Sequence, residues 1–413
     1  MNGRRRYLSL FTGAGGLDLG LEAAGFSTAL CVELDESSRK TLAANRSHWK
    51  LAEPGDIHAI TPREIMRQGR IRRRQLDLLA GGPPCQPFSK SGYWAIGDSR
   101  RLADPRASTL DAYLGVVEAA LPTVVLLENV RGITFEGKDE GLQLLRKKLG
   151  EINEASGTKY DPVVIHINAV DYGVPQIRER VFVVAHRGGK SLELPPATHA
   201  MRNGSSLPAG ILPCTTAWDA IGDLDEDTWP SELDPRGKWG GLLPSIPEGE
   251  NYLWHTPRSG GKPLFGWRTR YWSFLLKLTK DRPSWTIQAQ PGPATGPFHW
   301  KGRQLSRREL ARLQTFPDDY EIHGEDYAAK RQLGNAVPPA LGELWGLEIR
   351  RQFFGERVRR TLRLVPESRD GCPGPEKPKR VPKRYLDLLD DHADHPGHGK
   401  GPGARRRVRE AQS

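Results

Sequence analysis

Cys85 stands within Ala80-Gly81-Gly82-Pro83-Pro84-Cys85-Gln86-Pro87-Phe88-Ser89, where prolines fix φ and push the residue before each of them into an extended conformation. The stretch is therefore neither helix nor central strand, and a thiol on so stiff a turn is placed for nucleophilic use. The alternative is an inert buried thiol, which is what most free cysteines are. Glu128 follows four apolar residues, Val124 to Leu127, so its carboxyl sits at the end of a buried strand, where desolvation raises a carboxyl pKa and lets it hold or donate a proton. A helix cap or an arginine partner would explain it equally well. Gln176, Arg178 and Arg180 alternate along an extended segment, which puts all three on one face that wants an anionic or carbonyl partner, or else forms structural ion pairs. Thr12-Gly13-Ala14-Gly15-Gly16 lets the backbone approach a ligand closely before a helix starting near Leu17. Glu33, ending the next apolar run, could accept hydrogen bonds from ribose hydroxyls, and Gly55-Asp56-Ile57 follows another turn. The glycines do not match a dinucleotide fingerprint, so an adenosine-bearing cofactor without an obligatory pyrophosphate is expected.

The elements that must carry these groups are short apolar runs, Tyr7–Phe11, Ala29–Val32, Leu76–Ala80, Val124–Leu127, Val163–Ile167 and Val181–Ala185, alternating with helical-length amphipathic stretches. That pattern predicts an α/β fold with a mostly parallel sheet. The chemical features follow the first four runs, and ligand crevices of open α/β sheets lie outside the C-terminal strand ends. With 413 residues the chain has room for a large core and more than one domain. Its 61 Lys and Arg against 50 Asp and Glu, net +11, suit a polyanionic partner. The four cysteines, Cys31, Cys85, Cys214 and Cys372, form no CxxC pair, which argues for a reducing compartment and against a structural metal site. No apolar run reaches membrane-spanning length, and the N-terminal one is too short for a signal peptide, so a cytoplasmic location is expected.

Residues 1–189 read as a catalytic and cofactor-binding domain. Prolines, glycines and scattered tryptophans from 190 to 300 read as a separate loop-rich domain, in which Trp267-Arg268-Thr269-Arg270-Tyr271-Trp272 is a plausible nucleic-acid surface. Ser306 and Glu309 form a capping box, with Leu305 and Leu310 as its staple, opening a return segment, 301–355, that ends in an amphipathic helix reaching about Phe354. From 366 to 413 a disordered basic tail is expected.

Taken in order, Phe11 to Gly16, Gly82 to Ser89, Glu128-Asn129-Val130, Gln176 to Arg180, Arg308-Glu309 to Pro317 and Gly334-Asn335 resemble the motifs of the cytosine-C5 DNA methyltransferases, specifically the bacterial type II restriction-modification methylases. The likeness covers most of the first 350 residues, and the Pro-Pro-Cys-Gln-Pro loop is its most specific part. It implies a Rossmann-like, S-adenosylmethionine-dependent fold in which residues 190–300 are the target-recognition domain. Cys85 would be the nucleophile, Glu128 the carboxyl at cytosine N3, and Arg180 the cation at O2, supported by Arg178. The cofactor would lie against Phe11, Gly13, Gly15, Gly16, Leu17, Glu33, Leu34, Asp56, Ile57, Asn335 and Ala336, and DNA against Gln86, Ser89, Arg100, Arg101, Arg268 and Arg270. Leu34 departs from the aromatic that many members place against adenine, and Ala336 from a serine. The target base would have to be flipped out, and Ser89–Asp104 is the expected closing loop. The implied partners are double-stranded DNA and a separate cognate endonuclease; the chain is expected to be a monomer without metal. A tRNA cytosine-C5 methyltransferase shares the same core, and a regulator that has lost catalysis would share the DNA surface, although the intact Cys85, Glu128 and Arg180 set argues against it. A nicotinamide-dependent dehydrogenase would explain the glycine loop and leave the Cys85 loop idle.

Overall fold

Six strands, β1 (Arg5–Leu10), β2 (Phe26–Val32), β3 (Leu78–Gly81), β4 (Val124–Asn129), β5 (Val163–Asn168) and β6 (Glu179–His186), form one sheet in the order β2-β1-β3-β4-β6-β5. The computed structural model describes residues 4–83, 107–129, 140–201 and 206–389. The pairings from β2 through β4 are parallel, whereas β6 runs antiparallel to both β4 and β5. The expected mostly parallel sheet is thus present, with one reversed strand. All six apolar runs are strands, with ends shifted by up to three residues.

Alternation along the strands sends neighbouring side chains to opposite faces. Tyr7, Leu78, Ala80, Leu126 and Phe182 pack beneath α1 (Gly16–Ala23) and the C-terminal α9 (Pro339–Phe354). Leu8, Leu79, Val125, Leu127 and Val183 pack beneath α3 (Pro62–Gln68), α4 (Ala107–Ala120) and α5 (Glu140–Ser156). The remaining helices are α2 (Glu36–Asn45), α6 (Ala217–Ile221), α7 (Arg307–Leu313) and α8 (Asp326–Asn335). Ser306 and Glu309 make the capping box of α7, and Leu305 and Leu310 are both buried. The helix α8 had no forecast, because its polar sequence lacks the apolar period that announces a helix.

Two features depart from the expected division of the chain. Ala217, Ala220 and Ile221 of α6 share a core with Leu278, Ile287, Trp300, α7 and α8, so residues 190–300 are not one block. A smaller aromatic core, containing Leu242, Tyr252, Phe265, Phe274 and Phe298, holds the loop-rich part. The disordered tail expected from 366 does not begin there: 366–382 runs irregularly over this region into a 3-10 turn, Lys383–Leu388, and Tyr385, 2 % exposed, enters the aromatic core. Average composition conceals this, since one buried ring and single backbone hydrogen bonds fasten a stretch that is otherwise Pro, Gly and Lys. Residues 390–413 lie outside the described part.

The N- and C-terminal elements that flank the large sheet meet. Arg5 on β1 donates to Glu356, just beyond α9, at 2.8 Å, and α1 crosses α9 backbone to backbone. A Cβ on Gly20 would overlap Pro339 O, Glu343 N and the Gly342 carbonyl carbon, and one on Gly342 would lie 2.5 Å from Leu17 O. In an exposed helix Gly→Ala stabilises by about 1 kcal/mol. At Gly20 the contact reverses the sign: Gly20→Ala should destabilise the protein by about 3 kcal/mol, the upper end of overpacking costs, in urea denaturation. An unchanged or raised midpoint would show that the two helices have room to separate.

Candidate active site at the strand ends

Along the rim formed by β2, β1, β3 and β4 stand Glu33, the glycine loop, Gly82-Pro83 and Glu128. Because β6 is reversed, its start lies where β4 ends, with Asn129 opposite Val181 and Glu128 opposite Phe182. That reversal delivers Arg178 and Arg180 to the same rim.

The glycine loop opens with Phe11 at φ 56°, in the left-handed region that non-glycine residues rarely occupy. Gly13, at φ 58°, turns its N–H toward Glu33 and donates to Oε2 at 2.6 Å. Gly15 caps α1, Gly16 is its first residue, and Leu17 is buried behind them. Asp35 N donates to the other Glu33 oxygen at 2.7 Å. Burial pushes the Glu33 carboxyl above its usual pKa while these two donors work against that shift. The Leu34 backbone N–H also opposes the shift, and of the carboxylate's roughly four acceptor positions one is left for a further donor. Beside it Leu34 is 69 % exposed, an apolar surface on the rim with space over it. Gly55 lies against the Glu33 carbonyl, Asp56 accepts from His58 N at 2.9 Å, and Ile57 is buried. Asn335 is exposed at the end of α8 and Ala336 is buried after it.

Glu128 and Arg180 form an ion pair at 2.9 Å between Oε1 and Nε, each side chain 12 % exposed. Burial raises the Glu128 pKa; Arg180 and then Arg178 oppose it. A Cβ on Gly82 would lie 2.9 Å from Glu128 Oε2, so the backbone passes that carboxyl three residues before Cys85. Arg178 is fully buried and donates to the carbonyls of Gly334 at 2.7 Å, Ala336 at 2.8 Å and Ile287 at 3.3 Å. Its N–H groups thus tie the start of β6 to the end of α8 and the residue after it, while Arg180 is the one that meets Glu128. Gln176, also fully buried, bonds Gln314 and Ile287 N.

Asp18 had no forecast. It lies in the first turn of α1 at 1 % exposure, and burial pushes its pKa up to about 7 against hydrogen bonds from Ser9 and Tyr7. An aspartate in a first helical turn reads from sequence as a solvated cap, and nothing local announces that Tyr320, which donates to Ala14 O at 2.8 Å, covers the loop beside it.

Arg268 and Arg270 are exposed, with guanidinium groups 5.7 Å from the Trp267 ring and 5.8 Å from the Phe274 ring. Tyr271, Trp272 and Trp285 are exposed nearby, the two indoles edge-on at 5.8 Å. Trp285 joins this surface from outside the basic cluster in sequence. Cys85, Gln86, Ser89, Arg100 and Arg101, with the expected closing loop Ser89–Asp104, lie outside the described residues. Among the described residues no His, Cys, Asp and Glu cluster could hold a metal, and no helix is long and apolar enough to cross a membrane.

The family described as C-5 cytosine-specific DNA methylase matches residues 5–351. The chain is 38 % identical to the type II methyltransferase M.SacI of Streptomyces achromogenes over 83 % of this chain and 92 % of that one. It is 32 % identical to the type II methyltransferase M.NgoFVII of Neisseria gonorrhoeae over 81 % and 83 %. The fold is similar to that of the Entamoeba histolytica methyltransferase EhMeth, at TM-score 0.56 and 15 % identity, covering 85 % of this chain and 99 % of that one. It is also similar to Spodoptera frugiperda DNMT2, at TM-score 0.56 and 16 % identity, covering 83 % and 99 %.

Arg180 is the larger of the two influences that oppose burial at Glu128. Arg180→Met should therefore let Glu128 keep its proton to a higher pH than in the parent protein. Carbon-13 titration of the Glu128 carboxyl checks this; an unmoved or lowered midpoint would mean that the pair is not coupled.

Proposed function

The chain belongs to the C-5 cytosine-specific DNA methylase family, and from that membership we propose that it transfers a methyl group from S-adenosylmethionine to C5 of one flipped cytosine in a specific double-stranded DNA sequence. In the same reading it acts in the cytoplasm as a monomer, the modification partner of a separate restriction endonuclease. What supports the site assignment is the Glu128–Arg180 pair, buried at the end of β4 with the Gly82 backbone against it.

C5 of cytosine is a weak nucleophile, so Cys85 first adds as thiolate to C6 and makes C5 enamine-like. Negative charge then builds on the pyrimidine. Glu128, whose burial favours the protonated form, donates to N3 and approaches the exocyclic amine, while Arg180 faces O2. Arg178 keeps Arg180 in line through the Gly334 and Ala336 carbonyls. Bound cofactor supplies an electrophilic methyl group to C5. Loss of the C5 proton and cleavage of the C6–sulfur bond return Cys85. The residues present suit an adenosine-bearing donor: Glu33 has an acceptor position open for a ribose hydroxyl, and exposed Leu34 offers an apolar surface to adenine. Phosphates position such a protein and base edges specify the sequence, so Arg268 and Arg270, beside the exposed Tyr271 and Trp272, are assigned to sequence readout.

Cys85→Ala should reduce methyl transfer to an oligonucleotide below detection while cofactor affinity stays unchanged. DNA carrying 5-fluorocytosine should trap the parent chain covalently through Cys85, because fluorine does not leave as a proton does. An active alanine variant overturns the covalent route, and transfer to tRNA in place of duplex DNA would favour the RNA-modifying alternative. Glu33→Ala should weaken S-adenosylmethionine binding by roughly 10- to 100-fold in calorimetry, the worth of hydrogen bonds to a charged group. Equal affinity in the variant would place the ribose elsewhere.

A further inference from the structure

Past α9 the chain leaves the segment that the family match covers and crosses three parts of the molecule. Val358, Leu362, Leu364 and Val365 pack against the α1 and α9 side of the sheet. Glu343 of α9 is fully buried, and its carboxylate is answered from this stretch: Arg359 pairs with it, and Arg363 N and Leu364 N donate at 2.9 and 3.0 Å. Next, Arg369 N donates to Asp219 at 2.7 Å, Arg369 pairs with Asp223 at 2.9 Å, and Trp218 donates to Asp370 O. Glu376 N then donates to Glu248 at 2.7 Å, and Lys280, the buried partner of Glu248, also reaches Gly374 O. Lys379 N donates to Pro244 O at 2.8 Å. The path ends at Tyr385, whose ring stacks on Trp239 at 6.0 Å and whose hydroxyl donates to Lys238 O at 2.9 Å.

We propose that residues 356–389 are a strap that sets the position of the Arg270-Tyr271 face relative to the catalytic rim, with Tyr385 as its anchoring, positioning residue. The loop-rich region needs such a fastening, since it is built from short 3-10 turns around a small aromatic core. Tyr385 lies three ring contacts from that face: beyond its own stack on Trp239, Trp239 meets Phe274 at 6.0 Å, and Phe274 meets Tyr271 at 5.6 Å and lies under Arg270. Movement of the anchor therefore carries directly to the surface assigned to sequence readout.

The inference rests on the DNA-methylation reading for its kinetic consequence, and on the fold alone for its mechanical one. A chain ending at Val365 keeps every donor to Glu343 and removes the contacts that reach α6 and the loop-rich region. In that chain and in Tyr385→Ala, KM for duplex DNA should rise about tenfold or more and bisulfite sequencing should show a relaxed target, with kcat and S-adenosylmethionine affinity within about twofold. Tyr385→Phe, which retains the stacked ring, should recover most of the loss. Hydrogen exchange, which needs neither DNA nor activity, should quicken at amides 238–255 and 264–275 and stay unchanged in β1 to β4. Unchanged exchange overturns the strap even if the parent chain methylates no DNA. Faster exchange with unaltered KM and target overturns its role in recognition, and parallel loss of cofactor affinity reduces Tyr385 to general support of the fold.

Discussion

A carboxyl group held out of water at the end of β4 constrains everything around it. Glu128 can be buried there only because a cation meets it, and Arg180 can meet it only because β6 runs against β4, bringing the beginning of one strand beside the end of the other. A wholly parallel sheet would place the start of that strand at the opposite edge. Arg180 is itself nearly buried, and its neighbour Arg178 is entirely so. Removing one member of such a set leaves an uncompensated charge, the costliest defect a core can carry. The reversed strand is thus tied to the chemistry of the rim as closely as the residues that touch it.

The same rim depends on distant sequence. Arg178 reaches the carbonyls of Gly334 and Ala336, more than 150 positions away, and α9 lies so close to α1 that the two backbones touch at Gly20 and Gly342. The glycine loop is therefore pressed from behind by α9, which fixes the angle at which Gly13 offers its N–H to Glu33. Loop and carboxylate form one rigid unit, and Tyr320 closes it from the side.

Much of this was legible because the signals are local. Strands buried on both faces read as apolar runs, and the residues that end β1, β2 and β4 announce themselves by their chemistry. What stayed hidden depends on partners far along the chain. Asp18 looks like a solvated cap until Tyr7 and Tyr320 are seen above it. Arg178 looks like a second active-site cation until its hydrogen bonds to backbone carbonyls appear. The stretch 366–389 has the composition of a tail, and only partners far back in the chain, with Trp239 under the Tyr385 ring among them, make it structure.

That ring bears on inheritance. Recombination between related genes exchanges contiguous stretches of DNA, yet the aromatic core around Trp239, Tyr252 and Phe274 is completed by a residue encoded more than a hundred codons downstream of them, on the far side of the catalytic return segment. A crossover that imports the loop-rich region alone brings half a core and leaves Tyr385 facing a foreign partner. Lineages that trade this region intact must carry two separated pieces of coding sequence together, or keep the residue opposite Tyr385 constant while the exposed surface diverges.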